Sequence, residues 1–134
     1  MHDIDDIFVA RLMSTDLHTV TPDTLVEAAA ATLLDNEISS VLVVESDRLL
    51  GILTSTDFVE IVARSQPKAE TTVERYMTTD PVTATAQDPV SAVAATMIER
   101  SIHHVPVVDD DAPIGIITTS DLAAYVSGTE PLSP

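Results

Sequence analysis

The segment Gly51-Ile52-Leu53-Thr54-Ser55-Thr56-Asp57 concentrates groups able to do chemistry, and it returns as Gly115-Ile116-Ile117-Thr118-Thr119-Ser120-Asp121. In both places an apolar strand ends at a hydroxyl residue, a helix opens, and a carboxylate follows three positions on. Glycine permits a turn or a close backbone approach, and free N–H groups at a helix start bind anionic oxygens. A carboxylate there can accept hydrogen bonds from two vicinal sugar hydroxyls. The same spacing fits reciprocal helix caps, Thr54 with Asp57 and Thr118 with Asp121, and duplication copies a cap as readily as a binding site.

A second cluster is Ile102-His103-His104-Val105-Pro106, whose counterpart reads Ile38-Ser39-Ser40-Val41. An imidazole can donate to phosphate and binds it more strongly when protonated; serine offers no positive charge. Two histidines decorating a surface fit the same pattern. Neighbouring strand side chains diverge, so one histidine faces any cleft, and shared zinc ligation is disfavoured; His2 and His18 stand at no ligand spacing. No carboxylate is paired with a nucleophile at a recognisable spacing, so no residue is assigned a catalytic role and the chain reads as a non-enzyme.

These groups are held by a repeat. At a shift of 64 residues Met13 meets Met77, Asp16 meets Asp80, Thr19 meets Thr83 and Thr21 meets Thr85 without a gap. The register persists through Ala28/Ala92, Thr32/Thr96, Ile38/Ile102, Val41/Val105, Val43/Val107, Gly51/Gly115, Thr54/Thr118 and Asp57/Asp121. Each copy is one supersecondary unit, too small to bury enough apolar surface alone. Copy one reads as a strand at 19–21, a helix opening at Pro22-Asp23-Thr24 with Leu25, Val26, Ala29, Leu33 and Leu34 on one face, strands at 41–44 and 49–53, and a helix at 55–64. Copy two repeats the order at 82–85, 90–100, 105–108, 114–117 and 122–126. The predicted unit is β-α-β-β-α. The halves divide at 1–66 and 67–134, with a polar linker at 65–72 and a disordered tail at 128–134.

Composition narrows the function. Twenty-two acidic residues stand against six basic ones, a net charge of −16, which repels nucleic acid and anionic membrane surfaces. The acidic residues are scattered, and Lys68 is the one lysine, a balance expected of a halophile's cytoplasm, where salt screens self-repulsion. No apolar run spans a bilayer and the Asp-rich start lacks a signal-peptide pattern, so a cytoplasmic protein is expected. The absence of cysteine excludes disulfides and thiolate chemistry.

The paired β-α-β-β-α units, each closing with Gly-apolar-apolar-Thr-x-x-Asp, resemble a tandem pair of CBS domains, the arrangement called a Bateman module. The resemblance covers nearly the whole chain. It implies an α/β (α+β) fold with two units packed sheet to sheet about a pseudo-twofold axis, leaving two clefts for adenosine-containing ligands: AMP, ADP, ATP or S-adenosylmethionine. The family's ribose-binding aspartate falls on Asp57 and Asp121, and its hydroxyl contacts on Thr54, Thr56, Thr118 and Ser120. Val20-Thr21-Pro22 and Ala84-Thr85-Ala86 resemble the base-pocket segment. His103, His104, Val105 and Pro106 resemble the phosphate-contacting stretch, which makes the second cleft the better nucleotide site; Ser39, Ser40 and Val41 line the weaker first. The family also implies a homodimer built on helix faces such as Ala123, Tyr125 and Val126, acting on an effector protein; a scaffold without ligand is the alternative.

Overall fold

The structure is a computed structural model that describes residues 7–64 and 71–128. Contacts divide it into two compact units, His18–Pro81 and Met1–Leu17 with Val82–Pro134. The first is built on a four-stranded sheet. Its β1 (Thr19–Val20) runs parallel to β2 (Ser40–Glu45), which pairs antiparallel with β3 (Arg48–Thr54), and β3 pairs antiparallel with β4 (Thr78–Thr79). Ser46 and Asp47 both have positive φ, 53° and 63°, the backbone that a two-residue hairpin needs to match strand twist. Helix α2 (Val26–Asn36) turns Val26, Ala29 and Leu33 onto Val41, Val43, Leu53, Ile61 and Val73, and α3 (Ser55–Arg64) supplies Ile61.

The other unit opens with α1 (Val9–Leu12) and continues in α4 (Val90–Arg100), β5 (His104–Asp109), β6 (Ala112–Thr118) and α5 (Thr119–Val126). Single bridges replace the short outer strands: Ala84 pairs parallel with Val107 and Ser14 antiparallel with Ile116. Shifted by 64, these are the pairings Val20 with Val43 and Thr78 with Ile52 of the first unit. Val9 and Leu12 are buried in the core with Val90, Val93, Met97, Val105, Val107, Ile117 and Tyr125. The contact units thus divide the chain differently from its sequence halves, 1–66 and 67–134. The segment preceding the first copy packs with the second, and residues 71–79, preceding the second copy, pack with the first.

Several local expectations shift. Pro22-Asp23-Thr24 forms a turn instead of a helical start, because the Thr24 hydroxyl accepts the Thr21 N–H at 3.1 Å, and α2 begins at Val26. Leu25 and Leu34 leave the apolar stripe and stand 42% and 78% exposed. A stripe on Val26, Ala29 and Leu33 follows the 3.6-residue period, and Leu34 lies about 100° off it. Val62 is likewise exposed, whereas Tyr125 belongs to its own unit's core and presents no face to a partner. The element at 82–85 is reduced to its one bridge, and α5 starts at Thr119, three residues ahead of the expected 122. Helices α2 and α4 both end on a left-handed residue that is not glycine, Glu37 at φ 53° and Ser101 at φ 55°. Most of the linker at 65–72, and the tail beyond Gly128, lie outside the described residues.

Candidate functional site: two copies of a capped strand–helix turn

Glycine in the repeated motif serves the sheet. Gly51 and Gly115 lie within β3 and β6, and a Cβ at Gly51 would sit 2.7 Å from the Thr78 carbonyl oxygen and 2.8 Å from Met77 Sδ. At Gly115 it would meet Met13 Sδ at 2.8 Å and the Ser14 carbonyl oxygen at 2.9 Å. The close approach that glycine permits here is that of the neighbouring strand segment, and Met13 and Met77 close over it.

Each strand delivers its threonine to a helix start. Thr118 N–H donates to Asp121 Oδ2 at 2.8 Å, the Thr118 hydroxyl donates to the same oxygen at 3.1 Å, and Asp121 N–H donates back to Thr118 Oγ1 at 3.3 Å. This is a closed capping box on α5. Copy one repeats the first two bonds, Thr54 N–H and Thr54 Oγ1 to Asp57 Oδ2 at 2.7 and 3.2 Å. The cap reading of these residues is therefore realised, yet it occupies one carboxylate oxygen. Oδ1 of Asp57 and of Asp121 takes no hydrogen bond among the described residues, and no buried side-chain polar atom there is unsatisfied. Both aspartates are half-buried, and an oxygen without a hydrogen bond retains its lone pairs for further donors.

The histidine pair stands beside this turn. His104 is the cross-strand partner of Thr118, as Ser40 is of Thr54. The carbonyl of His103 accepts Thr119 N–H at 3.0 Å, and that of Ser39 accepts Ser55 N–H at 2.9 Å. His103 is exposed and His104 half-buried. Burial first, and then His103, push the His104 imidazole below its ordinary value, against the opposing pull of Asp121. Asp121 is thus close enough for its charge to act on the His104 imidazole.

The remaining predicted residues fall around these turns with different roles. Thr56 and Ser120 are exposed in the first helical turns. Val41 and Val105 are buried in the two cores, and Pro22 and Pro106 are buried as well. Val20 is half-buried on β1. Thr21 is exposed; its N–H donates to Thr24 Oγ1 and its hydroxyl donates to Asp23 Oδ1. Thr85 N–H and Oγ1 donate to Asp88 Oδ2 and Oδ1 at 2.9 and 3.0 Å. Asp88 and Thr24 occupy the same repeat position; the sequence reading took Thr24 as part of a helix opening and passed over Asp88, for which the Thr-x-x-Asp spacing at 85–88, the same as at 118–121, was the available signal.

A small pocket of about 80 Å³ lies between residues 82–84 and the α4 residues Ala92, Val93 and Thr96. It has room for two or three waters and is well below the roughly 300 Å³ at which ligand pockets begin. Asp121 and His104 are not among its lining residues. Among the described residues no three histidine or acidic side chains are grouped to hold a metal ion, and no helix is long and apolar enough to cross a membrane.

Known proteins share this arrangement. The CBS domain family matches residues 9–64 and again 73–128. The crystal structure of the CBS domain pair of protein MJ0100, in complex with 5′-methylthioadenosine and S-adenosyl-L-methionine, superposes with a TM-score of 0.84 at 30% identity, covering 92% of this chain and 98% of that one. CBS domain-containing protein YhcV of Bacillus subtilis is 27% identical over 91% of this chain and 87% of its own. Homoserine O-acetyltransferase of Methanohalobium evestigatum is 29% identical over 89% of this chain, which spans 24% of that protein's length. With two family matches that together take in both copies of the Gly-x-x-Thr-x-x-Asp turn, the chain belongs to the CBS domain family as a tandem pair.

Proposed function

We propose that the chain is a regulatory module that binds an adenosine-containing ligand and controls a partner polypeptide, without catalysing a reaction. One observation carries this reading: each motif aspartate spends Oδ2 on its own helix cap and leaves Oδ1 open. The two lone pairs of Oδ1 suit the two adjacent hydroxyls of a ribose, so capping and sugar binding coexist in one side chain. In this reading Thr56 and Ser120, exposed in the first helical turns, are further hydroxyl contacts, and His103 and His104, which border the Thr118–Asp121 turn, are the phosphate contacts. The adenosyl ligands of the MJ0100 pair support the ligand class.

Asp121→Asn tests it. The amide oxygen keeps the Thr118 cap while its NH₂ cannot accept from a ribose hydroxyl. In calorimetric titration with AMP, ADP, ATP and S-adenosylmethionine, the wild type binds at least one saturably and the double variant Asp57→Asn/Asp121→Asn binds none, with its thermal transition preserved. Binding unchanged in the double variant overturns the assignment.

A second proposal concerns assembly. Leu34 and Ile98, 78% and 81% exposed, occupy one repeat position, and Val62 and Val126, 71% and 74% exposed, another. Apolar residues repeated at matched positions suit a self-complementary contact with a second copy. Light scattering on a purified sample is expected to give a homodimer, and Val62→Glu/Val126→Glu to give a monomer.

A further inference from the structure

The chain holds two tyrosines, and each unit takes one of them. They are supplied from opposite elements. Around the second copy the ring is Tyr125 of α5, which shares a buried core with Leu12 of α1, and those two helices pack on each other. Around the first copy the ring is Tyr76, from the segment preceding copy two, and it packs against the core that contains Ile61 of α3. At the shift of 64 residues Leu12 corresponds to Tyr76 and Ile61 to Tyr125. Each unit therefore combines one ring with one branched aliphatic side chain, and the two have changed places. Arginine marks the equivalence. Arg11 and Arg75 share a repeat position, and each guanidinium lies 5.9 Å from a ring centroid, Arg11 over Tyr125 and Arg75 over Tyr76.

The exchange matters because residues 9–14 and 73–78 are otherwise alike. Both read Val-x-Arg-x-Met followed by a hydroxyl residue, and both tie down matching neighbours. Val9 and Ala10 N–H donate to the Asp88 and Ala86 carbonyls at 2.9 and 3.0 Å; Val73 and Glu74 N–H donate to the Thr24 and Pro22 carbonyls at 2.8 and 3.1 Å. Ser14 pairs with Ile116 as Thr78 pairs with Ile52. Chain length does not decide which copy takes which segment. The six residues from Ser14 to Val20, or from Thr78 to Ala84, reach about 20 Å, and three strand spacings come to about 14 Å. Each copy could thus take the segment directly before it.

We propose that the fit of the ring makes the choice. The core that holds Tyr125 accepts a segment with leucine at position 12, and the core that holds Ile61 accepts one with tyrosine at position 76. Residues 73–78 on the second copy would bring two rings into the space of one, which forces side chains off their rotamers; residues 9–14 on the first would bring none and leave a cavity. The groove on each core is thereby specific for one segment of this chain, and residues 9–14 of a second copy meet the second core's requirement as well as the chain's own.

Since the chain has no cysteine, introduced pairs report the choice directly. Mild oxidation of the dilute full chain is expected to cross-link Ser14→Cys/Ile116→Cys and to leave Thr78→Cys/Ile116→Cys open. With the rings exchanged between the segments, Leu12→Tyr/Tyr76→Leu, the 78–116 link should rise relative to the 14–116 link by about tenfold or more. Thermal melts decide the matter if that exchanged chain does not fold. Leu12→Tyr and Tyr125→Ile should each lower the midpoint, and Leu12→Tyr/Tyr125→Ile, which rebuilds the first copy's arrangement in the second, should recover most of the loss. Tyr76→Leu and Ile61→Tyr should behave the same way. A cross-link ratio unmoved by the ring exchange in a folded chain, or double-variant losses equal to the sum of the singles, overturns the proposal.

Discussion

The second copy's turn and the first copy's turn share two hydrogen bonds, from the threonine N–H and hydroxyl to the aspartate Oδ2, yet one is bordered by histidine and the other by serine. Duplication kept what the backbone needs, the glycine under its methionine and the threonine bonded to its aspartate. It let the side chains projecting beside the carboxylate diverge. Positions shared by the copies are accordingly those that hold the turn, and positions that differ, Ser39 and Ser40 against His103 and His104, give its surroundings a different chemistry.

The same comparison can be broken at its supports. Truncation of residues 1–14 should have the largest effect, and it should fall on one side, because Val9 and Leu12 are 0% and 1% exposed in the core formed around the second copy. Loss of two such side chains costs about 3–6 kcal/mol, so hydrogen exchange should accelerate at β5, β6 and α4 ahead of β2, β3 and α2. Uniform acceleration would mean the two units unfold as one.

Gly51→Ala and Gly115→Ala should come next, each destabilising by about 1–3 kcal/mol through overpacking against a strand carbonyl that cannot rotate away. Denaturant melts of the two variants should agree closely, since the contacts at 2.7 and 2.9 Å are equivalent; a neutral Gly115→Ala would show that Ser14 and Met13 yield where Thr78 and Met77 do not. The smallest effect should come from Glu37→Gly and Ser101→Gly, which relieve left-handed backbone at matched helix ends and are expected to raise stability by up to about 1 kcal/mol each. A thermal melt that falls in either variant would place the favourable contribution of the native side chain above its backbone cost.

Much of this was legible in the residues. The 64-residue register set the element order, and α4 and α3 run over the bounds their periodicity indicates, because an apolar stripe and a Thr-x-x-Asp start are local signals. The pairing of Ser14 with Ile116 and of Thr78 and Thr79 with β3 was not, since strands of one or two residues carry no period and are specified by partners far along the chain. At the site, spacing identified Asp57 and Asp121, but the choice between cap and ligand contact turns on which carboxylate oxygen is occupied, a matter of geometry. The adjacency of His104 to Thr118 follows from the hairpin register, in which a one-residue slip would have exchanged it for His103.

The placement of residues 7–14 bears on the order of events during synthesis. The His18–Pro81 unit has all of its strands once residue 81 has left the ribosome, so it can close while the rest of the chain is still being made. Residues 7–14 emerge first of the described segments and wait longest, because the strand that accepts Ser14 ends at Thr118 and the helix whose Tyr125 shares a core with Val9 is the last of the described elements to be translated. During that interval Val9 and Leu12 are without their partners, and a strand from a second nascent chain could answer them as well as the chain's own.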